Sequence, residues 1–242
     1  MAQHTETVIA ARDAAFAALA GGFRLVDLSD ALGPKTILWP GAPALEVLEA
    51  VTHDAHGYHA RVFTTSEHFV PGGADTASIP IDDLVVPAVI IDITKKAAAV
   101  PNAVVEPSDV EAFEAQHGPI PSGTAVLMRS GWALRKTDPL SYAGSEGTTG
   151  LAFRLLVARG VVGLGVDTLG IDPGDKPDFP VHRDVSHPAG LWHLENLINL
   201  EQLPETGSVI AVGVPRVRAV RTRRPVGRPA IRSSRCAGPA RR

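Results

Sequence analysis

The middle of the chain alternates between short apolar runs and amphipathic stretches. Three apolar runs are bounded by turn-forming residues, as expected for buried strands, and they occupy 87–94, 124–130 and 161–168. Residues 107–118 begin with Pro and Ser-Asp and end with Gly, which are the start and end signals of a helix. Residues 148–160 show the clearest helical pattern, and 207–215 are predicted to form a last strand. This alternation predicts a mixed α/β domain.

The first third of the chain is richer in predicted strands. Residues 23–29 alternate between apolar and polar side chains, which predicts a strand. Residues 44–53 and 58–68 have the same character and flank the turn-prone segment 54–57, so we predict a pair of strands. Residues 5–20 place apolar side chains at helical spacing and predict an amphipathic helix.

Composition adds that the chain is an ordinary globular protein. Of its 242 residues, 45% are hydrophobic and 20% are charged. No apolar run reaches the roughly 18–20 residues of a membrane helix, and the N-terminus lacks the basic segment of a signal peptide. The single cysteine, Cys236, excludes an intrachain disulfide or a thiolate cluster. We therefore expect no membrane partner and take the cytoplasm as the default compartment.

Charge divides the chain into an acidic body, 1–215, and a basic tail, 216–242. The tail contains 10 arginines and no acidic residue, which leaves 13 basic against 26 acidic residues in the body. Such a tail can bind nucleic acid, but it has no aromatic side chain to stack on a base. We interpret it as a solvated, disordered extension. A frameshift near the end of the gene is our further hypothesis, and an unambiguous in-frame read of the 3′ end would reject it.

Candidate metal ligands concentrate in one segment, 182–195. It contains His182, His187, His193 and Glu195. Imidazole nitrogens and carboxylate oxygens suit Zn or Mn, and a catalytic site needs about three protein ligands and one open position. The spacing matches no compact ligand motif, so ordinary surface or core histidines are the alternative.

Asp167 and Asp172 lie at the end of a predicted strand, the edge where α/β proteins often place functional groups. For Asp167, a role as a turn former or N-cap is the alternative. The nearby glycines do not open a helix with G-x-G-x-x-G spacing, so no nucleotide cofactor is predicted. Ser66 and Ser130 lie in no G-x-S-x-G motif, so a serine hydrolase has no support.

Several longer segments, in this order, resemble the cyclase family of metal-dependent hydrolases, which includes kynurenine formamidase and isatin hydrolase. They are WPGAP, SEH, FVPGG, IPIDDLVVPAVIIDIT, VVGLGVDTLGIDPG, DFPVHR and HLENLINLEQLP. The resemblance covers about 23–215 and implies a swivelling β/β/α-type fold that assembles into homodimers or homotetramers. It also implies one or two Zn or Mn ions and the hydrolysis of a C–N bond in a small aromatic amide or lactam by metal-activated water.

The same resemblance suggests roles for particular residues. His182 and Glu195 match metal ligands, and Trp39 matches an aromatic position that flanks the substrate. The family pattern H-x-G-T-H-x-D-x-P-x-H is largely missing here, because His68 is joined directly to FVPGG. His68 aligns either with the first histidine of that pattern, a metal ligand, or with the last, which transfers a proton. It is therefore a candidate both as a ligand and as a catalytic residue.

This departure leaves more than one function open. His68, His182 and Glu195 would allow one mononuclear site but not a binuclear one, so we expect weak or absent metal binding and low activity. The first hypothesis is an arylformamidase-like metal-dependent amidohydrolase. The second is an impaired homologue that serves at most as a binding or assembly partner, and the third is a nucleic-acid-associated protein that uses its basic tail.

Overall fold

The structure is a computed structural model that describes 22–33, 35–39, 42–43, 45–64, 75–100, 102–137, 142, 147–148, 150–176 and 178–216. The predicted helix at 5–20 lies outside the described residues, as does the basic tail beyond Arg216. Within the described part, no helix is long and apolar enough to span a membrane.

A five-stranded mixed sheet forms the centre of the fold. The strands are β1 (Glu46–Val51), β2 (Ala60–Thr64), β3 (Val85–Asp92), β4 (Val104–Val105), β5 (Ala125–Arg129), β6 (Gly147–Thr148), β7 (Gly163–Val166), β8 (Trp192–Leu194) and β9 (Ser208–Ala211). The central sheet has the order β8-β7-β5-β3-β9, and β9 alone runs antiparallel to its neighbour. β1 pairs with β2, and β4 pairs with β6.

Four α-helices lie in the described part: α1 (His53–His56), α2 (Thr94–Ala99), α3 (Pro107–His117) and α4 (Gly150–Ala158). The start and end signals of α3 are confirmed. The Glu106 side chain and the Asp109 side chain form a reciprocal capping box, and Gly118 follows the last turn with φ 87°. The predicted strands of the sheet and helix α4 are also confirmed.

The sheet separates two layers of core residues. Side chains at alternate positions of β3 and β5 face α3 and α4, and they include Val89, Ile91, Val126 and Met128. The intervening positions face the opposite layer, where they pack with Leu197, Leu200 and Ile210. Burial on both faces explains why these strands read as continuous apolar runs.

The prediction of a strand at 23–29 is wrong, because these residues form no regular element. Leu28 is partly buried against the second core layer, and its carbonyl accepts a hydrogen bond from the Ile198 N–H at 3.1 Å. The Asn199 amide donates to the Asp27 carbonyl at 2.8 Å. These contacts dock the end of the segment on a loop, whereas Phe23 and Leu25 remain exposed, so the alternation does not mark a buried strand face. The predicted pair of strands is confirmed as the β1–β2 hairpin over the described residues, whereas 44 and 65–68 lie outside them.

Gly163 is expected to tolerate no side chain. It lies opposite Trp192 in the β7–β8 register, and a Cβ atom at Gly163 would overlap the indole ring. The Trp192 Nε1 donates to the Asp83 carbonyl at 2.8 Å, which holds the ring in place. We expect Gly163→Ala to lower the free energy of unfolding by about 1–3 kcal/mol. Gly213→Ala meets no atom within 4 Å, and in urea denaturation it should remain within about 0.5 kcal/mol of the parent protein.

Candidate metal centre

His182 is oriented by a buried carboxylate. Asp172, whose side chain is 1% exposed, accepts hydrogen bonds from the backbone N–H groups of Val181 at 2.6 Å and His182 at 3.1 Å. It also lies 2.6 Å from the Nδ1 atom of His182. Because an ionised carboxylate can only accept, Nδ1 carries the proton and Nε2 is directed away from Asp172. A carboxylate behind an imidazole is the usual way in which proteins orient a metal-ligating histidine.

The Nε2 atom of His182 faces Glu195, whose Oε1 atom lies 3.2 Å away. His193 completes the group, since the ligand atoms of His182, His193 and Glu195 all lie within 4.8 Å of one another. One imidazole comes from a π-helical turn, His182–Ser186, and the other comes from β8. Such π turns are frequent at functional sites. The three side chains form a group that could hold a divalent metal.

Backbone geometry fixes Glu195 at the end of β8. The next residue, Asn196, adopts a left-handed conformation with φ 62°, and its N–H donates to the Thr168 carbonyl at 2.9 Å. The Asn196 side chain in turn accepts a hydrogen bond from the buried Tyr142 hydroxyl at 2.7 Å. Glu195 is thereby held against the segment that follows β7, where Asp172 also lies.

The two carboxylates beside His182 favour a positive charge on or next to its ring. Burial lowers the pKa of His182, but hydrogen bonds and charge interactions with Asp172 and Glu195 outweigh it and raise the pKa to about 9. Two carboxylates that favour a proton on the imidazole would also favour a cation between the ligands.

A third histidine borders the group. The His187 ring lies 5.4 Å from that of His182 and stacks on that of His193 at 5.5 Å with an interplanar angle of 14°. His187 is not a member of the ligand group, although the sequence alone makes it as good a candidate as His193.

Asp167 has a structural role, which the hydrogen bonds of its carboxylate show. Its carboxylate accepts hydrogen bonds from the backbone N–H groups of Ser130 at 3.1 Å, Gly131 at 2.8 Å and Trp132 at 3.2 Å. The Ser130 hydroxyl donates to it at 2.7 Å. Burial raises the pKa of Asp167, while these hydrogen bonds act in the opposite direction. Asp167 therefore has a structural role, but it caps the distant turn after β5 and not a turn or helix of its own segment.

Trp39 lies beside the ligand group. The Glu195 carboxylate and the Trp39 ring border the same side of Gly170. A Cβ atom at Gly170 would lie 3.7 Å from the Glu195 Oε1 atom and 3.8 Å from the Trp39 Cζ3 atom. The Trp39 ring also contacts the Phe179 ring edge-on at 5.2 Å. The structure thus brings Trp39, His182 and Glu195 together. His68 lies outside the described residues.

Comparison with known proteins then supplies the family. A family model described as "Putative cyclase" matches residues 26–173, more than half of the chain. The chain belongs to the cyclase family. It is similar to the isatin hydrolase of Roseibium aggregatum, with 26% identity over 226 residues that cover 79% of this chain and 86% of that protein.

Solved structures of cyclase-family relatives share the fold. Isatin hydrolase A from Labrenzia aggregata, bound to benzyl benzoate, is 29% identical with a TM-score of 0.75, covering 86% of this chain and 94% of that one. An isatin hydrolase bound to the product analogue thioisatinate is 25% identical with a TM-score of 0.76, covering 90% and 94%. The predicted mixed α/β fold of the cyclase family is confirmed.

Proposed function

We propose that this cyclase-family chain is a metal-dependent hydrolase that opens the C–N bond of a small aromatic lactam or amide. The observation that carries the proposal is the convergence of His182, His193 and Glu195 beside the indole of Trp39. The similarity to isatin hydrolases supports a planar, cyclic aromatic substrate of the isatin type. An N-formyl aromatic amine, the substrate of an arylformamidase, presents the same kind of bond and is the second substrate to test.

His182, His193 and Glu195 would hold the metal, with Zn or Mn suited to this donor set. When bound, such an ion supplies a Lewis acid and lowers the pKa of water towards neutrality. Asp172 fixes the tautomer of His182, and Trp39 offers an apolar face to the aromatic part of the substrate. His68 stays a proposed further ligand or proton donor, on the resemblance alone.

Hydrolysis of a lactam requires a water molecule positioned at the carbonyl carbon and a proton delivered to the leaving nitrogen. Water adds to the lactam carbonyl carbon and the C–N bond breaks. Of the two protons of the water, one goes to the nitrogen and the other is released to solvent as the new carboxyl group ionises to a carboxylate. Asp172 cannot donate that proton, because its carboxylate is buried and already accepts three hydrogen bonds from Val181 and His182. Among the described residues, His182, His193 and Glu195 form the polar group beside Trp39, and while they hold the metal their donor atoms carry no proton. The proton for the nitrogen therefore comes from the attacking water.

An impaired homologue is the second candidate, and a specific feature of the sequence favours it. The stretch that supplies most N-terminal ligands in the resembled family is shortened to a single histidine, His68, and the next histidine is His117. A chain that binds no metal would then be at most a binding or assembly partner. The His182, His193 and Glu195 group argues for the active alternative, because it supplies three ligands without that stretch.

We also propose that the chain self-associates through the β1–β2 hairpin. Val47 pairs with Phe63 on one face of the hairpin, and Leu48 pairs with Val62 on the other. All four side chains are exposed, so both faces present apolar surface. A second copy of the chain, in a homodimer or homotetramer, would cover it. Sedimentation equilibrium should give a mass of at least two chains, whereas a strictly monomeric protein would reject the proposal.

A substrate panel tests the proposed reaction. Purified chain is incubated with Zn or Mn and with isatin or N-formylaniline, and ring opening or formate release is followed. We expect opening of isatin in the presence of metal and its loss after chelation. Metal-dependent release of formate alone would point to an arylformamidase. A folded chain that binds metal but acts on neither compound would contradict the proposed function.

Loss of the carboxylate behind His182 should weaken metal binding without removing a ligand. Asp172→Asn removes the negative charge and one of the two acceptor oxygens, so the amide holds the Nδ1–H of His182 and the backbone N–H groups less strongly. We expect the affinity for Zn or Mn to fall about 10- to 100-fold. Isothermal titration calorimetry measures this, with Asp175→Asn, an exposed carboxylate in the same segment, as the matched control. Equal affinities of the two variants would contradict the orienting role of Asp172.

A further inference from the structure

Phe179 has an unusual backbone conformation for a bulky residue. Its φ is 48°, in the left-handed region that favours glycine. It also precedes Pro180, and a following proline restricts the backbone further. A glycine at this position would have avoided the first restriction and eased the second. Strain that persists at a single residue is a reason to ask what its side chain does.

Two backbone hydrogen bonds hold Phe179 in this conformation. Its N–H donates to the Lys176 carbonyl at 3.2 Å, and its carbonyl accepts from the Arg183 N–H at 2.9 Å. Phe179 is thus clamped between a tight turn and the helical segment that carries His182. The direction of its ring is set by the same turn that positions the proposed ligand.

The Phe179 ring lies between Trp39 and His182. It contacts Trp39 at 5.2 Å with an interplanar angle of 63°, and it lies 6.0 Å from the His182 ring at 87°. Gly170 adds no side chain on the side where the Glu195 carboxylate approaches Trp39. The Phe179 ring therefore contacts the ring of a proposed ligand, His182, and the ring of Trp39, which borders the Glu195 carboxylate beside Gly170. Two aromatic rings at such an angle can receive a planar ring that stacks on one of them and meets the other edge-on.

We propose that Phe179 is a specificity-determining residue that, together with Trp39, selects planar aromatic amides over saturated ones of the same size. This inference rests on the proposed function, because it assigns the substrate class of the same site. Phe179 acts by contact with the ring of the substrate and takes no part in bond cleavage.

The test compares an aromatic and a saturated ligand of equal size. N-formylaniline and N-cyclohexylformamide are measured as competitive inhibitors of isatin opening by the metal-loaded protein and by two variants. Phe179→Gly removes the ring and relieves the backbone, and Phe179→Leu keeps apolar bulk. We expect the inhibition constant of N-formylaniline and the KM of isatin to rise about 3- to 10-fold in both variants. The constant for N-cyclohexylformamide should change less than about 2-fold, and kcat should stay near the parent value.

Thermal unfolding separates this role from mere packing. Glycine suits the φ of 48°, but it gives up the ring contacts with Trp39 and His182 and loses more chain entropy on folding. Because these effects oppose each other, Phe179→Gly should shift the melting temperature by no more than about 4 °C while it loses aromatic selectivity. Equal weakening of both inhibitors, or a parent protein that does not discriminate between them, would overturn the inference while leaving the hydrolase intact. A parent protein that opens no isatin despite bound metal would instead reject the proposed function, and this inference with it.

Discussion

Replacing Glu195 by glutamine is expected to lower isatin opening by about three orders of magnitude and to remove most of the bound metal. Glu195 is the one carboxylate of the three-residue ligand group, and a neutral amide oxygen neither balances the charge of a divalent ion nor binds it strongly. Without the ion, water keeps its ordinary pKa and the reaction loses its nucleophile at neutral pH. Turnover and metal content are measured on the same preparation.

The matched control is Glu201→Gln. Glu201 is exposed, lies six positions further along the chain and belongs to a different turn, Leu200–Gln202. It should retain the metal and the turnover of the parent protein. If Glu195→Gln retained both as well, the metal would have to be held by other residues. Circular dichroism of the two variants should be the same, because the substitutions conserve shape.

Removal of the Asp167 side chain is expected to cause the largest loss of stability. Asp167→Ala would leave the backbone N–H groups of Ser130 and Gly131 and the Ser130 hydroxyl without their acceptor in a buried place. The Trp132 N–H would keep only its hydrogen bond to the Ser130 hydroxyl oxygen. Unsatisfied buried donors are costly, and we expect the free energy of unfolding to fall by about 3–5 kcal/mol. Urea denaturation measures this difference.

Asp175→Ala is the control for that experiment. Its carboxylate is half exposed and only loosely paired with Lys176 at 3.8 Å, so its removal should change stability by less than about 0.5 kcal/mol. A loss of similar size in both variants would show that the hydrogen bonds to Asp167 add little beyond what an exposed carboxylate provides. Retention of full stability by Asp167→Ala would contradict the capping role.

Much of the fold could be predicted from the sequence because its determinants are local. Apolar runs buried on both faces identify the strands of the sheet, and the capping box and terminal glycine of Pro107–His117 fix a helix without reference to the rest of the chain. The error at 23–29 has a physical reason. Alternation does not show that a ladder partner exists: Phe23 and Leu25 are exposed, and the carbonyl of the partly buried Leu28 binds the loop at Ile198 instead of a strand.

The candidate site was less predictable because its contacts join residues that are distant in the sequence, and the path of the loops between them decides whether they meet. His182 and Glu195 could be proposed from the resemblance, but the partner of His182 lies ten positions earlier, in Asp172, and only the path of the intervening turn brings the two together. Neither the convergence of His193 with the other two ligands nor the left-handed conformation of Phe179 has a local signal in the sequence.

The metal content of the full chain tests the central claim most directly. The purified protein is incubated with Zn or Mn, dialysed and examined by inductively coupled plasma mass spectrometry, beside His182→Ala and His193→Ala. We predict about one ion per parent chain, as for a site of three ligands, and loss of the ion in both variants. A parent chain that retains no ion, or a His193→Ala variant that retains it fully, would contradict a metal centre built from His182, His193 and Glu195.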